Sequence, residues 1–383
     1  MAAREAVVKA LLAGPKPWRT AFQALLPETQ PFKGKHVISA SQFDKDSIIY
    51  VLSVADIINH HLKTHDSIPL LTGKMLGNVF LEPSTRTATS FHTAMLKLGG
   101  GVVSVSEATS SVQKGETLED TIRTLENFVD VIALRHPIMG AADLAARAST
   151  RVPIINAGDG GNEHPTQALL DLFCIEQEHG PINEAPLELT MLGDLKYGRT
   201  VHSLSQMVSH FPNIKLNLVS PDNLKMPQQY VLFNNSPPTF RLSSFSFLFF
   251  SRYLDMLKER GIQYQEMDQL EPVLETSDVI YHTRVQKERF TDLAEYERSK
   301  GRFIITPEIM NKGKKTMKLM HPFPRVDEIS EAVDTDPRAL YFKQPKYGLR
   351  LRMALMTLAL GGEFNLPRYY LPRRLIRNSC FAH

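Results

Sequence analysis

The stretch 75-MLGNVFLEPSTRTATSFHTAMLKLGG-100 decides the fold. It opens on 75-MLGNVFLE-82, an apolar run of strand length that reads as buried. After Pro83 come Ser84, Thr85, Arg86 and Thr87, then a helical body that stops at Gly99-Gly100. Hydroxyls and a guanidinium therefore stand where a strand hands over to a helix. The N–H groups and partial positive charge of a helix start suit an anion, and the fork of Arg86 suits phosphate oxygens. An ordinary N-cap beside a surface arginine has the same local spelling. The rest of the chain must separate the two.

Outward from this stretch, apolar runs alternate with helical patterns. Residues 44–62 carry helical spacing, and strands are expected at 101–105, 129–135 and 152–157. The second half repeats the scheme at 187–194, 214–220, 278–284, 302–306 and 317–322. At 383 residues the chain exceeds what one core usually supports. The fold class expected is α/β, as two open, mainly parallel α/β/α sandwich domains with the active site in the cleft between them. In such sheets ligands bind beyond the carboxyl ends of the strands.

Bulk properties narrow the function. A formal net charge of +3 gives no footprint for nucleic acid. Two cysteines, Cys174 and Cys380, stand outside any CxxC pattern, which argues against a disulfide scaffold or a cysteine zinc site and fits a reducing compartment such as the cytoplasm. No apolar run reaches 18 residues, so no membrane span is expected. Residues 1–32 read as a poorly ordered leader or linker. Their basic residues leave organelle targeting open, although Glu5, Pro15 and Pro17 weaken it.

Cationic side chains recur at strand ends. Arg135 closes 129-VDVIALR-135, Arg199 follows 191-MLGDLKYGR-199, and Arg284 and Arg289 flank 284-RVQKER-289. Lys114 lies in 110-SSVQKGET-117, a small polar loop of the kind that can move over a ligand. Each alone has a structural explanation; together they suggest a site for small anions, a phosphate and a dicarboxylate. His164 and Gln167 share one face of a helix start in 164-HPTQALLD-171 and could polarise a carbonyl and hold an amide. In 321-HPFPR-325 two prolines stiffen a segment whose backbone oxygens are not consumed by a helix. No metal-ligand spacing, GxSxG elbow, phosphate-binding P-loop or GxGxxG fingerprint occurs, so neither a metal nor another cofactor is expected and a Rossmann oxidoreductase is a poor fit.

The ordered set STRT, KGET, RHP, HPTQ, GDLKYGRT, TRVQKER and HPxPRxDE resembles the catalytic chains of the aspartate carbamoyltransferase family, from about His36 to about Gly361. Ornithine carbamoyltransferases share part of the set, but a Cys in place of Pro322 and an SMG-type motif would be expected of them. The resemblance implies transfer of the carbamoyl group of carbamoyl phosphate to L-aspartate, in pyrimidine biosynthesis. It implies a carbamoyl-phosphate-binding domain at 33–165, completed by a helix around 345–361, and an aspartate-binding domain at 166–344.

By the same resemblance Ser84, Thr85, Arg86 and Thr87 bind the phosphate, while Arg135, His164 and Gln167 hold the carbonyl and amide. Arg199, Arg284, Gln286 and Lys114 meet aspartate, and the backbone at Pro322, Phe323 and Pro324 meets the reacting groups. Ser110 and Lys114 reach a neighbouring subunit's site, which makes a homotrimer with shared sites. Glu82 pairs with Arg199 and Arg289 on domain closure. Regulatory chains or a larger multifunctional pyrimidine-pathway protein are further partners that the resemblance allows. The alternatives are a carbamoyltransferase for another amine and a non-functional variant chain. Departures from the family are Ala88, where many members have Arg, His92, where many have an acid, and Phe323, whose bulk could crowd the aspartate.

One region has no counterpart in that pattern. About 22 residues, 232–253, contain 240-FRLSSFSFLFFSRY-253, with five phenylalanines in eleven positions. The run is too short for a membrane anchor and too adhesive for an ordinary loop. Phe, Ser and Leu can all be written with pyrimidine-rich codons, so the stretch reads as the translated end of an intron. It is expected to loop out of the second domain without reaching the site. The tail 362–383 departs in the same way.

Overall fold

The computed structural model describes residues 31–107, 114–227, 253–287, 290 and 292–361. They form two compact units, one of residues 31–38, 46–158 and 347–361, the other of 39–45 and 159–346. The change of unit thus falls between Gly158 and Asp159 rather than at 165, and His164 and Gln167 belong to the second unit.

The first unit carries β1 (Met75–Phe80), β2 (Gly101–Ser106), β3 (Val131–His136) and β4 (Ile154–Asp159) in the order β2-β1-β3-β4. β1 runs parallel to both β2 and β3. Val79, Ile122, Ile132, Leu134, Ala145 and Ile154 build a buried core between this sheet and its helices. The register pairs Phe80 with Arg135, so the ends of β1 and β3 lie side by side. The helix Thr85–Lys97 starts just beyond β1. Ser84 is its N-cap residue, but its hydroxyl does not close onto the first turn.

The second unit carries β5 (Leu187–Gly193), β6 (Ile214–Val219), β7 (Tyr264–Met267), β8 (Val279–Thr283) and β9 (Lys318–Met320), ordered β7-β6-β5-β8-β9 with every pairing parallel. Leu192, Val219, Ile280, Ile305 and Leu319 anchor its core. Gly193 pairs with Thr283 at φ +106°, and a Cβ there would stand 2.2 Å from the Thr283 carbonyl oxygen. Only glycine lets β5 and β8 end this close together.

Two strand expectations change. Residues 302–306 make only an isolated bridge, Ile305 to Ile329. In exchange 264-YQEM-267, too short and polar to register as an apolar run, forms edge strand β7. The phenylalanine-rich region lies outside the described residues up to 252. Tyr253, counted with it on sequence, instead begins the helix Tyr253–Glu259, is buried, and stacks on His202 with ring centroids 4.6 Å apart. The tail 362–383 and residues 1–30 also lie outside the described residues. Among the described residues no helix is long and apolar enough to cross a membrane.

Candidate functional site

In the first unit the strand-end residues gather around charge. Arg135 Nε lies 2.9 Å from Glu82 Oε2 in an ion pair, and an Arg135 Nη1 hydrogen bond of 3.5 Å reaches the Ala157 carbonyl. Burial lowers the pKa of Arg135, and Glu82 opposes that shift. Burial also lowers the pKa of Arg86, with the charge of Arg135 as the second cause. The exposed Arg86 of the helix start and the largely buried Arg135 of the β3 end are thus close enough for their charges to oppose one another. A bound anion relieves both effects. Thr87 is buried in the first turn beside them, while Thr85 opens the helix.

The expected partners of Glu82 were Arg199 and Arg289. Its ion pair is with Arg135, because the β1–β3 register brings that side chain alongside. Arg199 donates to the Gly160 carbonyl. Arg289 and Ser110 lie outside the described residues; Lys114 is described and exposed.

The second unit gathers geometry rather than bare charge. His164 precedes the helix Pro165–His179, is buried, and donates its backbone N–H to Ser203 Oγ at 3.1 Å. Gln167, one turn on, donates Nε2 to Asp171 Oδ1 at 2.9 Å. Beyond β8, Arg284 lines a cavity of about 250 Å³ with Gly193, Pro221, Tyr296, Lys300 and Arg302. Gln286 Nε2 donates to the Tyr197 carbonyl at 3.0 Å, and its backbone N–H reaches Asp194 Oδ2 at 3.4 Å. Asp194 is fully buried and also accepts from Tyr197 N at 2.9 Å. Burial raises its pKa to about 6.

The 321–325 segment is held at several points. His321 Nε2 lies 2.7 Å from Glu328 Oε1, its Nδ1 accepts from Phe323 N at 2.9 Å, and its own N–H donates to Gln344 Oε1 at 2.8 Å. The Phe323–Pro324 bond is cis and Phe323 has φ +58°, so the segment is bent rather than simply extended. The Phe323 ring lies among those of His321, Tyr341 and Phe342, at centroid distances of 5.5–5.9 Å. Its bulk is occupied by this aromatic cluster. Arg325 is clamped by Asp334, with Nη2 to Oδ2 at 2.6 Å.

Four buried residues of this network were not singled out from sequence: Asp171, Asp194, Tyr281 and Gln344. Asp171 had a usable signal, since it stands at i+4 from Gln167 on the same helix face. Asp194 had one as the acid that ends β5. Tyr281 and Gln344 are joined to Asp171 only by tertiary folding. Among the described residues, no group of three or more His, Cys, Asp or Glu is arranged to hold a metal ion.

Residues 35–177 match the family model described as aspartate/ornithine carbamoyltransferase, carbamoyl-P binding domain, and residues 186–359 match its Asp/Orn binding domain. The chain belongs to the aspartate/ornithine carbamoyltransferase family. Among members of that family, the aspartate carbamoyltransferase catalytic subunit of Thermococcus kodakarensis is 45% identical over 331 residues, which are 86% of this chain and 98% of that one. The multifunctional protein CAD of Squalus acanthias is 47% identical over 331 residues, 86% of this chain but 14% of that protein's length. The fold agrees with a solved structure, the aspartate transcarbamoylase of Trypanosoma cruzi in complex with carbamoyl phosphate and aspartate. That comparison gives a TM-score of 0.77 at 38% identity and covers 88% of this chain and 99% of that one. The two parallel α/β units are thus those of a carbamoyltransferase.

Proposed function

We propose that this chain transfers the carbamoyl group of carbamoyl phosphate to the amine of L-aspartate, giving N-carbamoyl-L-aspartate and phosphate, for pyrimidine biosynthesis. The observation that carries this reading is the pair of cations Arg86, exposed in the first turn of a helix, and Arg135, largely buried at the end of β3, whose charges act on one another within the region that matches a carbamoyl-phosphate-binding domain. Ser84, Thr85, Arg86 and Thr87 take the phosphate; Arg135, His164 and Gln167 take the carbonyl and amide. Arg199, Arg284 and Gln286 bind the aspartate carboxylates, and the backbone at Pro322, Phe323 and Pro324 faces the reacting groups.

The amine lone pair forms the new N–C bond as the carbonyl oxygen becomes an oxyanion. Arg135, His164 and Thr87 stabilise that charge. The C–O bond to phosphate then breaks, and the departing phosphate takes up the amine proton. No covalent enzyme intermediate is needed, because positioning and electrostatic stabilisation supply the rate. Ser110 and Lys114 complete the site of a neighbouring copy in a homotrimer. A cytoplasmic home fits the two widely spaced cysteines.

The test is formation of carbamoyl aspartate by the purified chain, with the solution mass measured alongside and N-(phosphonacetyl)-L-aspartic acid as inhibitor. Turnover with aspartate and none with ornithine is expected. Turnover with ornithine alone overturns the choice of acceptor.

A further inference from the structure

Asp171 is fully buried in the helix Pro165–His179 and accepts three hydrogen bonds. Gln167 Nε2 and Gln344 Nε2 each donate to Oδ1 at 2.9 Å, and the Tyr281 hydroxyl donates to Oδ2 at 2.7 Å. A carboxylate offers acceptors only, so all three partners must present hydrogens. Burial and the Asp171 charge push the Tyr281 hydroxyl pKa well above its ordinary value, which keeps it a donor. Gln344 cannot turn over, because its Oε1 already accepts from the His321 N–H at 2.8 Å. Its nitrogen is therefore committed to Asp171. Gln167 turns its nitrogen to the same carboxylate oxygen, so a ligand that meets the other end of this amide meets Oε1.

We propose that Asp171 is a positioning and specificity-determining residue that, through Gln167, makes the site choose a carbamoyl group over an isosteric acetyl group. This rests on the carbamoyl-transfer reading above. Carbamoyl and acetyl phosphate differ by NH2 in place of CH3. Only the former can donate to an acceptor fixed at Gln167 Oε1, and a site built to hydrogen-bond a substrate group rejects the analogue that lacks it. Were Gln167 free to turn, its Nε2 would meet either group with little distinction.

The experiment measures binding of phosphonoacetamide and of acetonylphosphonate, an NH2/CH3 pair, to the full chain by calorimetry, with melting temperature as a check on folding. The unmodified chain is expected to prefer the amide by about tenfold or more. Asp171→Ala should cut that preference to below about threefold. Asp171→Asn should keep it, since its oxygen can still face the two amides while its nitrogen faces the Tyr281 oxygen.

The double exchange Asp171→Asn with Gln344→Glu guards against a misfolded alanine variant. It keeps the charge and heavy-atom count of the cluster but turns an N–H toward Gln167. Gln167 should then present its own nitrogen outward, and the preference should vanish. Retention of the preference in a folded alanine variant or in the double exchange overturns the inference, as does equal binding of both probes by the unmodified chain. Failure of the unmodified chain to bind either probe overturns the carbamoyl-transfer reading instead.

Discussion

The two units treat the polar groups of the candidate site in opposite ways. In the first, the charges of Arg86 and Arg135 act on one another, Arg135 has the partly exposed Glu82 beside it, and both are held below the ordinary guanidinium pKa. In the second, Asp171 is matched donor for donor by Gln167, Gln344 and Tyr281, and His321 is held at three points. The first set carries an electrostatic strain that an anion relieves; the second carries almost none and holds shape. The charge offered to the phosphate and the hydrogen bonds that fix orientation thus come from different parts of the chain. Substitutions should separate them: the first set should lose activity without losing stability, and the second should lose both.

The largest effect is expected from Arg135→Met, which keeps much of the side-chain volume and removes the charge. If Arg135 stabilises the developing oxyanion, kcat/KM for carbamoyl phosphate should fall on the order of 10³-fold. The melting temperature should hold or rise, because a half-compensated buried cation has been removed. Steady-state kinetics and a thermal melt read both quantities. A loss of activity below tenfold, or a fall in both together, would erase the contrast between the units.

Gly193→Ala probes the second unit. The new methyl would stand 2.2 Å from the Thr283 carbonyl oxygen at a backbone φ of +106°, so β5 and β8 must part or twist. The expected cost is about 3–4 kcal/mol in denaturant unfolding, from steric overlap and a left-handed backbone. The aspartate KM should rise with it, because Asp194 and Arg284 follow directly on these strands. An unchanged unfolding midpoint would show that the strand ends tolerate more than their geometry implies.

The contrast also explains what could be read in the sequence. Strand β1, the helix Thr85–Lys97 and the cations at strand ends were legible because each is a local pattern: an apolar run, a hydroxyl-rich start, an arginine at a fixed offset. The acids that hold the second unit carried weaker signals, and their partners carried none. Asp171 reads as an ordinary helix residue until Tyr281, 110 positions later, and Gln344, 173 positions later, are known to meet it. The ion pair that Glu82 makes with Arg135 was hidden for a related reason. Strand register, invisible in a single sequence, brings Arg135 to it first. β7 was missed because a four-residue edge strand needs little apolar content to pair along one side.

Asp194 gives the smallest and most specific test, because its burial outweighs the hydrogen bonds it accepts. Its carboxyl is raised from 3.8 to about 6, although backbone N–H groups of Tyr197 and Gln286 point at it. An acid raised in the folded state favours folding while protonated. That contribution is fully present below about pH 4 and is lost as the pH climbs through about 6. The loss is at most about 3 kcal/mol for a shift of this size, and smaller once the site relaxes. Asp194→Asn keeps an acceptor for the Tyr197 N–H and removes the titration. The variant should therefore gain relative to the unmodified chain between pH 4 and 6 and keep a constant advantage above it. Denaturant midpoints for the pair, measured across that range, give the difference directly and cancel the titration of Glu163, which is raised to about 6 for a similar reason. If the two curves run parallel, Asp194 is ionised at no cost, and its N–H partners rather than its burial set its pKa. Asp171 and Asp194 would then both be buried carboxylates stabilised by aimed donors, and the division between strained charge and satisfied geometry would extend to both.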